Sequence, residues 1–350
     1  MRTLSPTRII LIILILFNIT ACTLPKTDSP AVLHTENALR TRSPAETENA
    51  PIIPPSPSPT LLPSGTISPS STPAPDPAST TASTPAEDPL LSVRIAVIGD
   101  YGLAGKAEGD VANLIKSWQP DYILTTGDNN YPDGAWGTID ENIGQYYHEF
   151  IAPYVGKYGE GADQNRFYPT LGNHDWTTDS AQPYLDYFTL PGNERYYEVE
   201  LGPVHVFALN SDWREPDGVG RSSIQAQWLH EKLSSSKAPW KLVVYHATAY
   251  SSGHQGSTDW MRWPFQEWGA TAALAGHDHL YERLEINGFP YFTNGLGGGA
   301  IYNIKDPIPG SQVRYNGDYG AMLILADENK ITFQFINRSG KVIDTFQIVN

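Results

Sequence analysis

The chain has 350 residues, 40% of them hydrophobic, with a formal net charge of −15 and a single cysteine, Cys22. The acidic balance argues against nucleic-acid binding, because that affinity comes largely from lysine and arginine on the phosphate backbone. One cysteine excludes an internal disulfide, a thiolate zinc cluster and a cysteine nucleophile in the folded part.

Residues 1–21 place Arg2 and Arg8 ahead of the apolar run 9–17, followed by Ile19-Thr20-Ala21-Cys22. That run is shorter than the roughly 20 apolar residues a bilayer-spanning helix needs. A basic start, a short apolar stretch and small residues at the end predict a secretory signal. Its end resembles a bacterial lipobox, which implies a lipid on Cys22 and an extracytoplasmic, membrane-anchored lipoprotein. Residues 22–90 are rich in Pro, Ser, Thr and Ala, as in Pro54-Pro55-Ser56-Pro57-Ser58-Pro59. Such a segment buries too little apolar surface to offset chain entropy, which predicts a disordered linker. Its prolines favour an extended spacer. Residues 91–350 remain as one folded domain.

Within it, 93–98 is a β-branched apolar run that predicts a buried strand. Residues 109–118 follow with Val111, Leu114, Ile115 and Trp118 at helical spacing, and 121–126 is the next strand. This strand–helix–strand order predicts a parallel pair. Residues 167–171 form another strand, 196–200 and 204–209 a hairpin across Gly202-Pro203, and 224–233 an amphipathic helix. Strands at 241–245 and 271–275 come next, and 321–325, 331–336 and 342–349 alternate as strands around turns. The sum is an α/β fold, a four-layer α-β-β-α sandwich with two mixed sheets.

Five blocks follow these strands: Gly99-Asp100-Tyr101-Gly102, Gly127-Asp128-Asn129-Asn130-Tyr131, Gly172-Asn173-His174-Asp175, Val243-Val244-Tyr245-His246 and Gly276-His277-Asp278-His279. In open α/β sheets ligands bind beyond the carboxyl ends of the strands, where these blocks sit. A glycine ahead of a donor permits a tight turn and close backbone approach. Taken singly, a Gly-Asp is an ordinary turn and a lone His an ordinary structural residue; His-x-His can chelate. Together they predict a metal site. Oxygen donors with imidazole suit iron, zinc and manganese, and two such ions can clamp an in-line phosphoryl displacement.

The ordered blocks resemble the metallophosphoesterase superfamily, and Tyr131, three residues after Asp128, narrows the resemblance to the purple acid phosphatases of the small, tartrate-resistant type. The resemblance covers residues 93–311. It implies that Asp100, Asp128, Tyr131 and His279 bind Fe(III). Asp128 would bridge to a second ion, Fe(II), Zn(II) or Mn(II), held also by Asn173, His246 and His277. Two carboxylates, a phenolate and a bridging hydroxide would leave roughly one unit of positive charge to attract phosphate. Tyr131 is thus the residue that admits a trivalent ion.

The resemblance further implies that metal-bound hydroxide attacks phosphorus in line while His174 protonates the leaving group. Asp175 either orients the His174 imidazole or caps a following helix, and His254 faces the substrate. Asn130 and the step Ala247-Thr248 after His246 depart from the family pattern without removing a donor. Trp260, Trp263, Phe265 and Trp268 pack on the sheet in one reading and line a pocket rim in another. Gly297-Gly298-Gly299 lacks the Lys-Ser/Thr of a P-loop and reads as a tight turn. The expected activity is hydrolysis of small phosphate monoesters. The alternatives are a phosphodiesterase or nucleotide hydrolase with the same site, and a non-catalytic surface protein on this fold.

Overall fold

The computed structural model describes residues 92–350; the predicted signal, Cys22 and the predicted linker lie outside the described residues. Strands buried on both faces set the architecture. In β1 (Val93–Ile98) the side chains alternate, Ile95 and Val97 entering one core while Ala96 and Ile98 enter another. Beside β1 runs β2 (Tyr122–Thr125), parallel, and beside that the two-residue β3 (Phe167–Tyr168). The predicted strand 167–171 stops early because Pro169 has no N–H to offer a ladder.

The next strands are β4 (Tyr197–Leu201), β5 (Val204–Ala208), β6 (Trp240–Val244) and β7 (Ala272–Ala275). After them come β8 (Tyr281–Ile286), β9 (Phe289–Asn294), β10 (Ser311–Tyr315), β11 (Gly320–Ala326), β12 (Lys330–Asn337) and β13 (Val342–Val349). One sheet has the order β13-β12-β11-β1-β2-β3 and the other β10-β8-β9-β7-β6-β5-β4. Both are mixed, since β11 pairs antiparallel with β1, while β5, β6, β7 and β9 run parallel beside the antiparallel β4 and β8.

Three cores account for the four layers. Ile95, Val97 and Leu124 meet Leu242, Val244 and Leu274 between the sheets. Val111, Ala112 and Ile115 of the helix Lys106–Ser117 cover the outer face of the first sheet. Ala226, Leu229 and Leu233 of the helix Ile224–Ser235 cover the outer face of the second. The latter helix starts where Ser223 accepts a hydrogen bond from Ala226 N, a cap worth about 1 kcal/mol. The former begins earlier than the predicted 109, at Lys106.

The hairpin β8–β9 and strand β10 have no counterpart in the sequence reading. Their apolar alternation is broken by Glu282, Arg283 and Pro290, yet Glu282 is buried against Ser252 and Ser311, and Arg283 is paired with Asp344. Among the described residues no helix is long and apolar enough to cross a membrane.

Candidate metal centre

Five strands deliver the five blocks. β1 leads to Asp100, β2 to Asp128, β3 to Asn173, β6 to His246 and β7 to His277 and His279. The site therefore straddles the carboxyl edges of both sheets. Asp100, Asp128 and His277 all sit in the left-handed region, with φ of 54°, 53° and 68°. Such conformations are uncommon outside glycine and persist where the surroundings hold them. Here Asp100 N donates to Gly127 O, and His277 N donates to the Asp100 carboxylate at 2.9 and 3.1 Å.

Two glycines show why the blocks need no side chain ahead of the donor. Gly127 has φ of +94°, and a Cβ there would lie 2.6 Å from His246 Nδ1. A Cβ on Gly172 would lie 2.2 Å from Asp128 Oδ1. The loops are packed directly against the donors.

The donor atoms fall into two groups. The Tyr131 hydroxyl lies 3.1 Å from Asp128 Oδ2, 3.1 Å from His279 Nε2 and 3.4 Å from Asp100 Oδ1. His246 Nε2 lies 3.0 Å from Asn173 Oδ1, 3.2 Å from His277 Nδ1 and 3.4 Å from Asp128 Oδ2. Asp128 Oδ2 belongs to both.

Backbone carbonyls fix which nitrogen each imidazole presents. A carbonyl only accepts, so the ring nitrogen facing it must carry the proton. Thr126 O takes the N–H of His246 Nδ1 at 2.8 Å, and Ala300 O takes that of His279 Nδ1. Both rings thus turn Nε2 toward the carboxylates. Tyr302 stacks on His279 at 4.0 Å and 3°, locking its plane.

This arrangement fits a pair of metal ions. Metal–ligand bonds of about 2.0–2.2 Å place neighbouring donors roughly 3.0–3.4 Å apart around one ion, the spacing seen in both groups. Asp100, Asp128 and His279 have ligand atoms within 4.8 Å of one another. Without a cation the lone pairs would repel, and protons take its place. Burial opposes charge on His246, but the adjacent Asp128 carboxylate overrides it and pushes the imidazole up. Burial and the His246 imidazolium pull His277 down to about 4. Burial, with the Asp128 and Asp100 carboxylates, pushes the Tyr131 phenol up. Only a strong neighbouring cation would make it a phenolate.

His174 stands apart from both groups. Its Nδ1–H donates to Pro132 O, leaving Nε2 free, 4.0 Å from Asp128 Oδ2, on a side chain 37% exposed. Asp175 does not touch the His174 imidazole and caps no helix, contrary to both expectations. Its buried carboxylate turns inward and accepts from Asn129 N, Asn129 Nδ2 and Gly172 N. It ties the Asp128 loop to the Asn173 loop. Burial and the Asp128 carboxylate push it up to about 7.

His254 is exposed and meets the centre through Tyr302, whose ring lies 5.6 Å away. Of the aromatic stretch, Trp263 and Phe265 are buried under the second sheet, while Trp260 lines the cleft beside the donors. The triple glycine is a close approach: a Cβ on Gly299 would lie 2.9 Å from His279 Cε1. Sequence reasoning missed Tyr302, the three positioning carbonyls and the loop Ser211–Arg214. Backbone carbonyls carry no residue signature, and that loop follows β5 with no donor motif.

Comparison with known proteins agrees with this geometry. Residues 93–281 match the family described as calcineurin-like phosphoesterase. The chain is similar to Purple acid phosphatase 17 of Arabidopsis thaliana, 27% identical over 62% of this chain and 72% of the relative. It is similar to Tartrate-resistant acid phosphatase type 5 of Mus musculus, 25% identical over 71% of this chain and 88% of the relative. Purple acid phosphatase PPD1 from yellow lupin (Lupinus luteus) seeds shares the fold, with a TM-score of 0.60 and 18% identity. That match covers 74% of this chain and 54% of the lupin chain. The chain belongs to the calcineurin-like phosphoesterase family and is a metal-dependent phosphoric ester hydrolase.

Proposed function

We propose that the protein is a dimetal phosphatase acting on phosphate monoesters outside the cytoplasm. The observation that carries this reading is the sharing of Asp128 Oδ2 between two donor groups, one of which includes the Tyr131 hydroxyl. Asp100, Asp128, Tyr131 and His279 would hold Fe(III), and Asp128, Asn173, His246 and His277 would hold Fe(II), Zn(II) or Mn(II). When bound, the pair would acidify water and polarise the phosphoryl oxygens.

The chain's own residues supply the rest. The Thr126 and Ala300 carbonyls hold the imidazoles of His246 and His279 in the tautomer that offers Nε2. Such orienting partners typically contribute about 10–100-fold to affinity or activity. His174 Nε2, free at the mouth, is placed to protonate the departing alkoxide. His254, exposed with its ring 5.6 Å from that of Tyr302, would meet the substrate from that side.

Metal analysis with a visible spectrum of the purified protein tests this reading. We expect one iron and one further metal per chain, with a phenolate-to-Fe(III) band that disappears in Tyr131→Phe. Two zinc or two manganese ions and no colour would sink the assignment. Assays on matched mono- and diesters should favour the monoester; a diester preference would overturn that part alone.

The location rests on residues 1–22, whose basic start, short apolar run and Ala21-Cys22 step support a lipid anchor. Cys22→Ser should move the protein from the membrane to the soluble fraction on ultracentrifugation. Retention in the membrane would refute the anchor.

A further inference from the structure

A cleft of about 400 Å³ is lined by His246 and His277 and by two tryptophans, Trp213 and Trp260, that form an aromatic part of its wall. Both indoles are unusually open for their type, 76% and 48% exposed. We propose that this wall is the subsite for the organic half of the ester and takes a flat, uncharged aromatic group, an aryl ring or a nucleobase. The inference rests on the hydrolase reading above, since the donors that would face the phosphate line the same cleft.

The wall is held in place. Trp260 Nε1 donates to Ser211 O at 3.1 Å, tying one indole to the loop that carries the other. Arg214 places its guanidinium 5.7 Å from the Trp213 ring centre and donates through Nη2 to Asn173 O at 2.9 Å. The Trp213 loop is thereby fastened to the loop that bears a metal donor. A rigid aromatic surface loses little entropy on binding a ring, and stacking on it adds to the burial of apolar area.

Charge decides what kind of group fits. Arg214 is the cationic side chain of this wall, and Asp212 takes it in a two-pronged pair at 2.7 and 2.8 Å. The wall therefore has no spare positive charge for a second phosphate. It offers indole faces, which attract π-systems regardless of their hydrogen-bonding edges.

The test compares kcat/KM for phenyl phosphate, adenosine 5′-monophosphate and glycerol phosphate in metal-loaded wild type, Trp213→Ala and Trp260→Ala. The ratio of an aromatic ester to glycerol phosphate should fall about tenfold in each variant, as expected for one lost stacking contact. Trp213→Phe should restore most of it. A fall with phenyl phosphate identifies an aryl subsite, and a fall with the nucleotide alone identifies a nucleobase lying further from phosphorus. As a reading independent of turnover, phenylphosphonate should quench the tryptophan fluorescence of wild type more than that of Trp213→Ala. Wild-type turnover with both ratios unmoved and equal quenching overturns the inference alone. A wild type that hydrolyses none of the three esters overturns the hydrolase reading and this inference with it.

Discussion

Asp128→Asn should reduce bound metal from two ions per chain to one or none and lower kcat/KM by roughly 10³-fold or more, the scale of losing a charge-stabilising group from the reaction. No other side chain in the centre is shared in this way. Oδ2 is 3.1 Å from the Tyr131 hydroxyl and 3.4 Å from His246 Nε2, so one oxygen serves both donor groups. Oδ1 accepts from His174 N at 2.9 Å, which fixes the carboxylate plane. Asparagine preserves the shape. It removes the charge, and it would also turn an amide, which can donate, into a position where two cations would compete for a lone pair.

The fold should survive this change. In the metal-free protein His246 keeps its proton because the Asp128 carboxylate outweighs the cost of burial. With that anion gone the imidazole can lose its proton, so no unpaired buried charge is left behind. Circular dichroism should therefore match the wild type while elemental analysis shows the metal missing. Two tightly held metals in Asp128→Asn would mean that the two donor groups do not depend on a common carboxylate.

Much of this centre was legible from sequence because its information is local. Each donor follows an apolar strand by two to five residues, and a strand's carboxyl end is where a sheet of this class presents its loops. Asp100, Asp128, Asn173, His246, His277 and His279 are therefore found by reading short words, and the structure gathers all of them. Tyr131 joins them through a turn three residues long. What the sequence hid depends on pairs far apart in the chain. Asp175 looks like a partner for its neighbour His174, yet its hydrogen bonds reach back 46 residues to Asn129. Glu282 makes β8 look polar because its partners, Ser252 and Ser311, lie about 30 residues away on either side. Trp260 and Trp263 share one aromatic stretch, but one faces the cleft and the other the core, and no periodicity separates them. The left-handed backbone at three donors is invisible for the same reason, being imposed by the bonds that converge on it.

His174→Ala should lower kcat by about 10²–10³-fold on glycerol phosphate and by less than about tenfold on p-nitrophenyl phosphate. The difference follows from where the proton has to go. An alkoxide is a poor leaving group unless it is protonated as the ester bond breaks, whereas p-nitrophenolate departs without help. The contacts of His174 suit that transfer. Pro132 O binds the proton on Nδ1, so any second proton sits on Nε2, at the open mouth and 4.0 Å from Asp128 Oδ2. Tyr131 lies 4.6 Å from the imidazole, centre to centre, and limits its swing. The substitution is clean, because the backbone N–H that donates to Asp128 Oδ1 belongs to the main chain and stays. A metal-positioning role would lower both substrates alike and reduce metal content. A proton-donor role lowers them unequally with both metals in place, and it makes the loss scale with the leaving group's pKa across a series of esters. Equal losses across that series would remove His174 from the chemistry and leave solvent as the proton source.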